Sequence, residues 1–209
     1  KFLDTLRNLK INIKDDFKLN NLNTLASTGS PLVNETFEYV YKNIKSNIHL
    51  ESISGGTDIV SCFVTGNPLM DVYSGEIQCK ALGMDVDVFD RNGNSIKNQK
   101  GELVCKSSFP SMPLYFWNDQ DNKKYFNSYF SKYKNIWYHG DYIEKTINGG
   151  YVIYGRSDAT LNSGGVRIGT AEIYRVIENI TEVHEAVAVE YKLKNDTQII
   201  LFVVLNKNF

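Results

Sequence analysis

The sequence has few cysteines, and none of them is arranged in a disulfide or metal-binding motif. Its 209 residues include three, Cys62, Cys79 and Cys105, which lie far apart and form no CxxC pair. An odd number without close pairs indicates neither a disulfide framework nor a zinc site. Each stands among strand-forming residues, so we expect three small core side chains in a reducing, cytoplasmic compartment.

An excess of charge and a long apolar segment are also absent. The net charge of −1 gives no basic field for nucleic acid or an anionic membrane, so we expect neither partner. The longest apolar runs, such as Ile199–Leu205, are too short to span a bilayer and predict buried strands. The histidines His49, His139 and His184 are scattered, and their spacing gives no support for a histidine-activated nucleophile.

Residues 1–58 have the pattern of an α/β unit. A strand-like LNTLAST leads into a turn at Gly29–Pro31, and the segment Val33–Lys45 follows it. Apolar residues of that segment recur at the spacing of an amphipathic helix, namely Phe37, Val40, Tyr41 and Ile44. Strand, turn and helix in this order predict a βα crossover.

Residues 59–157 change to short strands separated by tight turns. The strand-like runs are DIVSCFV, GEIQCKALG, MDVDVFD and GELVCKS. Hairpin turns are predicted at Asn92–Gly93 and around Asn148–Gly150. This pattern is typical of a small antiparallel sheet or barrel.

Residues 158–209 have a third pattern, one helix followed by two strands. Thr170 is placed to cap a helix with apolar positions at Ile173, Val176, Ile177 and Ile180. Two strands, roughly 186–191 and 198–205, follow with a turn at KND. One helix and two strands are too little for an independent core, so we predict the start of a second, incomplete α+β unit.

Two short stretches have the chemistry of a nucleotide site. In ISGGTDI, Gly55 and Gly56 let the backbone approach a ligand, Thr57 offers a hydroxyl to a phosphate, and Asp58 offers a carboxylate to Mg²⁺. In WYHGDY, Asp141 between apolar neighbours suits the two hydroxyls of a ribose. The same residues also suit an ordinary turn and a strand end, so the pattern leaves both interpretations open.

The stretch Gly155–Tyr174, GRSDATLNSGGVRIGTAEIY, holds the largest concentration of such residues. Arg156 follows a strand and can bind a sugar or phosphate with two hydrogen bonds. Asp158 stands at the change in composition, where a hinge would lie, and Gly165 and Arg167 precede the helix. A plain interdomain linker with turn glycines is the alternative.

These motifs, together with STGSPL, resemble the acyl-adenylate-forming superfamily of acyl-CoA synthetases, peptide-synthetase adenylation domains and luciferases. Within it, SGGTDIVSCF, GELVCKSSFPSMPLYFWND, YHGDY and YGRSDATLNSGGVRIGTAEIYRVIE are most similar to the acetoacetate–CoA ligases. The resemblance covers essentially the whole chain. It implies a mixed α/β fold in which residues 1–157 are the C-terminal part of a large domain, comprising an α/β portion (1–58) and a β-rich barrel (59–157). Residues 158–209 would begin a small mobile domain.

The resemblance also implies roles for individual residues. Those that it places against the adenine of ATP are Gly29, Ser30, Pro31, Ile53, Ser54, Gly55 and Gly56. Thr57 and Asp58 are the catalytic residues that it implies, on the α-phosphate and on Mg²⁺, and Asp58 takes the place of the more usual Glu. Asp141 would hold the ribose hydroxyls with help from Arg156.

The remaining roles concern CoA and the movement of the small domain. Asp158 would be the hinge, Gly165 would line the pantetheine tunnel, and Arg167 would contact phosphate or CoA. The implied reaction joins acetoacetate to CoA through an acyl-adenylate.

The family's phosphate-binding loop and C-terminal lysine do not occur in this sequence. Nothing at its start resembles a signal or transit peptide, and its first residue is Lys1 rather than methionine, so we expect it to begin inside a longer gene product. We therefore expect a fragment that is inactive alone. The alternatives are a ligase for another short acid, such as acetate or propionate, and a non-catalytic nucleotide-binding fragment.

Overall fold

The structure, a computed structural model, describes residues 2–163, 166–192 and 197–206. Its helices and strands are, in chain order, α1 (Phe2–Asn8), α2 (Ile13–Asp16), β1 (Thr24–Ser27), α3 (Asn34–Tyr39), β2 (His49–Ser52), β3 (Ser54–Gly56), β4 (Ser61–Thr65), β5 (Cys79–Lys80), β6 (Val86–Phe89), β7 (Lys100–Cys105), α4 (Lys123–Tyr129), β8 (Trp137–Lys145), β9 (Tyr151–Arg156), β10 (Leu161–Ser163), β11 (Val166–Ile168), α5 (Thr170–Ile177), β12 (Val183–Lys192) and β13 (Thr197–Leu205). Gly165 and the predicted KND turn lie outside the described residues.

The α/β unit predicted for the start of the chain is present. Strands β1 and β2 pair in parallel, and α3 with a wider helical turn at Val40–Ile44 connects them. Phe37, Val40 and Ile44 point into one apolar cluster with Leu50 of β2. Burial of this helical stripe against the strand stabilises the crossover, and it fixes the turn at residues 28–31 at the carboxyl end of β1.

Two antiparallel sheets follow, as the turn pattern predicts. Their strand orders are β3-β4-β5 and β6-β7-β8-β9, and a bridge between Ile77 and Tyr151 links them. The sheets share one core that includes Phe63, Val88 and Trp137. The predicted hairpin glycines Gly93 and Gly149 have φ of +84° and +86°, a backbone conformation that glycine adopts without steric cost.

Two strand predictions in this region extend too far. Thr57–Ile59 forms a 3₁₀ turn, and Val60 follows it in the left-handed region at φ +48°, so β4 begins only at Ser61. The run GEIQCKALG forms only the short strand β5, because Gln78 turns inward and donates to the carbonyl oxygens of Asn67 and Met70. At Gln78, local polar contacts override strand propensity.

The last segment packs α5 against β9. Gly169, not Thr170, precedes the helix, and the Glu172 carboxylate accepts from the Gly169 N–H at 2.9 Å. The same carboxylate lies 2.6 Å from Lys100 Nζ on β7. Ile177 is buried as predicted, but Val176 is 68% exposed. The amphipathic prediction for α5 is therefore only partly right, because Val176 and Ile180 are exposed while Ile177 is buried.

The β12–β13 hairpin and the cysteines also differ from expectation. Residues 199–205 form a strand as predicted, yet within the described residues β13 pairs with β12 alone, and its apolar side chains from Leu201 to Leu205 are exposed. All three cysteines are free thiols; Cys105 is buried, while Cys62 and Cys79 are half-buried. In the described part of the chain, no helix is long and apolar enough to cross a membrane.

Candidate functional site

A cavity of about 240 Å³ lies where the turn after β1, strand β3 and the β8–β9 pair meet. Its walls are formed by Thr28, Gly29, Ser30, Pro31, Ser52, Ile53, Ser54, Gly55, Ile77, Asp141, Ile153, Gly155 and Arg156. Eight of these are site residues predicted from the sequence: Gly29, Ser30, Pro31, Ile53, Ser54, Gly55, Asp141 and Arg156. A larger cavity beside α1, of about 780 Å³, holds none of the predicted residues, so the smaller one is the candidate site.

The polar centre of this cavity is Asp141, which is 7% exposed. Arg156 Nη1 lies 3.3 Å from one carboxylate oxygen, and Ser54 Oγ donates to the other at 3.3 Å. Arg156 Nη1 also donates to the His139 carbonyl at 2.9 Å. A Cβ on Gly140 would stand 2.6 Å from Arg156 Nη2, so a glycine here lets the guanidinium lie against the backbone. The result is a buried anionic acceptor beside apolar walls.

Two of those apolar walls were missed by the sequence reasoning. Ile77 and Ile153 line the cavity, and both are largely buried. Ile77 bridges to Tyr151, so these two isoleucines are brought together only by pairing between the two sheets. A concave pocket with apolar walls and a few polar groups is the usual form of a small-molecule site.

Thr57 and Asp58 lie beyond the cavity walls in the 3₁₀ turn that follows β3, and both are exposed. The Tyr129 hydroxyl at the end of α4 donates a hydrogen bond to Asp58 Oδ2. Oxygen donors such as these suit a hard cation, and Mg²⁺ is commonly held by one or two carboxylates together with substrate phosphates. Within the described ranges no three acidic, histidine or cysteine side chains cluster as a metal site, so a cation here would depend on its substrate for further ligands.

The imidazole of His139, which the scattered histidines did not predict, lies directly behind strand β3. His139 is 9% exposed, and its Nε2 lies 3.1 Å from the Gly55 carbonyl oxygen and 3.7 Å from Asp141 Oδ2. Burial lowers the pKa of His139, and the neighbouring Asp141 carboxylate opposes that shift. The sequence gives no direct signal for this contact, because β8 is irregular between Tyr138 and Tyr142 and Gly140 has φ +81°.

We expect this burial to make the folded state sensitive to acid. Because the folded pKa of His139 is lowered, the unfolded chain binds a proton near pH 6.5 that the folded chain does not. Stability should therefore fall as the pH drops below that value, by up to about 1.4 kcal/mol per pH unit until the folded pKa is reached. Urea unfolding at pH 7.5 and 5.5 should show a smaller acid loss for His139→Gln than for the unmodified chain. An equal loss in both would contradict the prediction.

The close approach of β3 to β4 gives a second prediction. A Cβ on Gly55 would stand 2.1 Å from the Ser61 carbonyl oxygen and 2.4 Å from Cys62 Cα. Backbone cannot move away as a side chain can, so Gly55→Ala should cost about 1–3 kcal/mol of unfolding free energy. Urea unfolding of the variant and of the unmodified chain measures this difference. A Gly55→Ala variant as stable as the unmodified chain would show that the strands separate freely.

The predicted hinge residues are only partly described. Asp158 lies exposed in a short turn at Ser157–Ala159, and Arg156 Nε donates to it at 3.3 Å. The backbone of Arg167 lies in β11, but its side chain, like Gly165 as a whole, is outside the described parts. The assignment of residues 158–209 to a separate mobile unit stays a prediction.

Several curated proteins are similar to the chain along almost its whole length. Acetoacetyl-coenzyme A synthetase from Rhizobium meliloti (strain 1021) is 52% identical over 205 residues, which are 98% of this chain and 32% of that protein. Acetoacetyl-CoA synthetase from Xenopus tropicalis is 43% identical over 211 residues, 100% of this chain and 31% of that protein. The chain therefore spans about a third of the length of the curated relatives it matches. No protein-family model matches it.

Solved structures agree with these sequence matches. Acetoacetyl-CoA synthetase from Streptomyces lividans has a TM-score of 0.90 and 36% identity, covering 100% of this chain and 32% of that one. An anthranilate CoA ligase in complex with anthranoyl-AMP has a TM-score of 0.73 at 18% identity, covering 97% of this chain and 38% of that one. The second likeness shows the fold alone. The expected adenylate-forming fold is thus confirmed over the part that the chain covers.

Proposed function

We propose that the chain, a homologue of about one third of acetoacetyl-CoA synthetase, supplies the nucleotide site of an acetoacetate–CoA ligase. The observation that carries the proposal is the cavity around Asp141. Eight predicted residues from four segments of the sequence line that one cavity. Most residues that the family resemblance places at the nucleotide therefore line the same cavity.

In the proposed reaction, acetoacetate attacks the α-phosphorus of ATP and releases pyrophosphate, which gives acetoacetyl-adenylate. The CoA thiol then attacks the acyl carbon, loses its proton and releases AMP, which gives acetoacetyl-CoA. Residues of this chain hold the nucleotide during both steps. Holding the reactants close together and correctly oriented supplies much of the rate enhancement in group transfer.

Each side chain has a task that suits its environment. The buried Asp141 carboxylate accepts the ribose hydroxyls, Arg156 fixes that carboxylate, and the isoleucine walls exclude water around the base. In the 3₁₀ turn after β3, the Thr57 hydroxyl would donate a hydrogen bond to the α-phosphate, and the Asp58 carboxylate would hold Mg²⁺. When bound, Mg²⁺ stabilises the negative charge that develops on the phosphate oxygens.

We assign the second half-reaction to the segment after β9. Rotation about Asp158 brings Gly165 and Arg167 towards CoA, with Gly165 in the pantetheine tunnel and Arg167 on a phosphate. Arg156 links the two parts, since it contacts both Asp141 and Asp158. We place the enzyme in the cytoplasm, where its three free thiols would stay reduced.

The test is substrate-dependent pyrophosphate exchange and thioester formation by the complete protein that contains this chain. Acetoacetate should support both, whereas acetate and propionate should support them weakly. Equal or better rates with acetate or propionate would overturn the acetoacetate assignment, and no exchange with any acid would overturn the ligase assignment. We expect the 209-residue chain by itself to show no exchange.

A further inference from the structure

Strand β8 contacts the nucleotide segment, Ser54–Asp58, which contains the residues assigned to adenine, phosphate and Mg²⁺. Trp137, His139 and Asp141 of this strand are all buried. The strand is irregular between them, because its register with β7 shifts there and Gly140 has φ +81°. His139 and Asp141 reach the segment directly, and Trp137 reaches it through Tyr129.

The three contacts follow the order of the segment. Asp141 accepts from the Ser54 hydroxyl, and His139 lies 3.1 Å from the Gly55 carbonyl. Trp137 reaches further through Tyr129, whose ring stacks on the indole with centroids 3.7 Å apart. The hydroxyl of Tyr129 in turn donates to Asp58.

The contact with Gly55 defines the state of the imidazole. A carbonyl oxygen is only an acceptor, so the His139 Nε2 must carry the proton and donate it. Among the described residues, Nδ1 finds no hydrogen-bond partner. A Cβ on Gly56 would stand 2.9 Å from His139 Cε1, so the second glycine is what lets the ring lie against the backbone. The ring is thus a neutral donor pressed against the glycine strand.

We propose that His139 and Tyr129 are positioning residues that hold the nucleotide segment in place, His139 at Gly55 and Tyr129 at Asp58. His139 holds the Gly55 carbonyl and thereby the cavity wall. Tyr129 orients the Asp58 carboxylate for the cation, because its own ring is fixed by Trp137. Both roles rest on the proposed function, and neither residue touches the reacting atoms.

The Tyr129 arm of the test separates cation binding from nucleotide binding. In the complete protein, Tyr129→Phe should weaken Mn²⁺ binding in the presence of ATP by about tenfold, the usual effect of removing a partner of a metal ligand. Electron paramagnetic resonance of free Mn²⁺ measures this, and calorimetry in EDTA should show unchanged binding of metal-free ATP. Tyr125→Phe is the matched control, because Tyr125 belongs to the same aromatic cluster but donates to the Pro113 carbonyl.

The His139 arm uses a conservative replacement. The side-chain amide of His139→Gln can donate from nearly the position of Nε2, whereas His139→Leu fills the space without a donor. His139→Leu should raise the KM for ATP by about tenfold, the loss of one buried hydrogen bond, with a smaller change in kcat. His139→Gln should restore a KM close to that of the unmodified enzyme.

The outcomes are distinguishable. If Tyr129→Phe binds Mn²⁺ as Tyr125→Phe does, the role of Tyr129 is wrong. If His139→Gln and His139→Leu have the same KM for ATP, the histidine only fills space. Either result leaves the proposed function intact as long as the unmodified protein forms acetoacetyl-CoA. Failure of the unmodified protein with every acid contradicts the proposed function instead, and the Mn²⁺ measurement still decides the positioning role.

Discussion

Replacement of Asp141 by alanine should lower kcat/KM for ATP by about a hundredfold in the complete ligase. The carboxylate is buried, and it is the acidic side chain that lines the cavity. Two hydrogen bonds from ribose hydroxyls to a charged acceptor contribute roughly 1.5 kcal/mol or more each, and together they account for that factor. The measurement is the ATP dependence of acetoacetyl-CoA formation at saturating acetoacetate and CoA.

Two comparisons make the Asp141 prediction specific. Asp141→Asn keeps the shape and one acceptor oxygen, so its loss should be smaller than that of the alanine variant. The KM for acetoacetate should change little in either variant, because the proposed contact is with the nucleotide. Since Arg156 is half-exposed, its guanidinium can be solvated when Asp141 is removed, and the fold should survive. An alanine variant with unchanged kcat/KM for ATP would exclude Asp141 from the nucleotide site.

Much of the fold follows from local patterns that the sequence displays directly. The helical stripe at Phe37, Val40 and Ile44 and the hairpin glycines Gly93 and Gly149 each depend on neighbours within a few residues. Periodicity and turn chemistry report such neighbours well. The predicted crossover and both hairpins are accordingly present.

What the patterns missed depends on residues distant in the chain. His139 meets Gly55 across 84 positions, and Tyr129 meets Asp58 across 71. A single histidine or tyrosine belongs to no repeating pattern in the sequence from which such a distant partner could be predicted. The exposed face of β13 was mispredicted for a related reason, because an apolar run indicates a strand but not what covers it.

The site was predictable to the extent that the family resemblance supplied roles. From the residues alone, ISGGTDI and WYHGDY were equally suited to turns. The structure adds that Ser54, Gly55 and Asp141 line one cavity, which a turn would not require. It leaves the tasks of Thr57, Asp58 and Asp158 as predictions, since these side chains are exposed and lie outside the cavity walls.

Replacement of Trp137 by alanine should have the largest effect on stability. The indole is 1% exposed and contacts Phe63, Phe109 and Tyr129 in the shared core of the two sheets. Truncation of a buried tryptophan leaves a cavity and costs about 3–5 kcal/mol. Urea unfolding should show a large fall in the midpoint with an unchanged slope. Trp117→Ala is the matched control, because that indole is 86% exposed and its loss should cost no more than about 0.5 kcal/mol.

The phenylalanine variant at the same position separates ring packing from the indole nitrogen. Among the described residues, Trp137 Nε1 has no hydrogen-bond acceptor, and a buried unsatisfied donor costs about 1–3 kcal/mol. Trp137→Phe removes that donor while it keeps an aromatic surface for Tyr129. The smaller ring packs less well, which destabilises the fold, but removal of the unsatisfied donor stabilises it. Trp137→Phe should therefore lower the unfolding free energy by less than about 1.5 kcal/mol. A phenylalanine variant as unstable as the alanine variant would mean that the full indole, rather than an aromatic ring, is what the core requires.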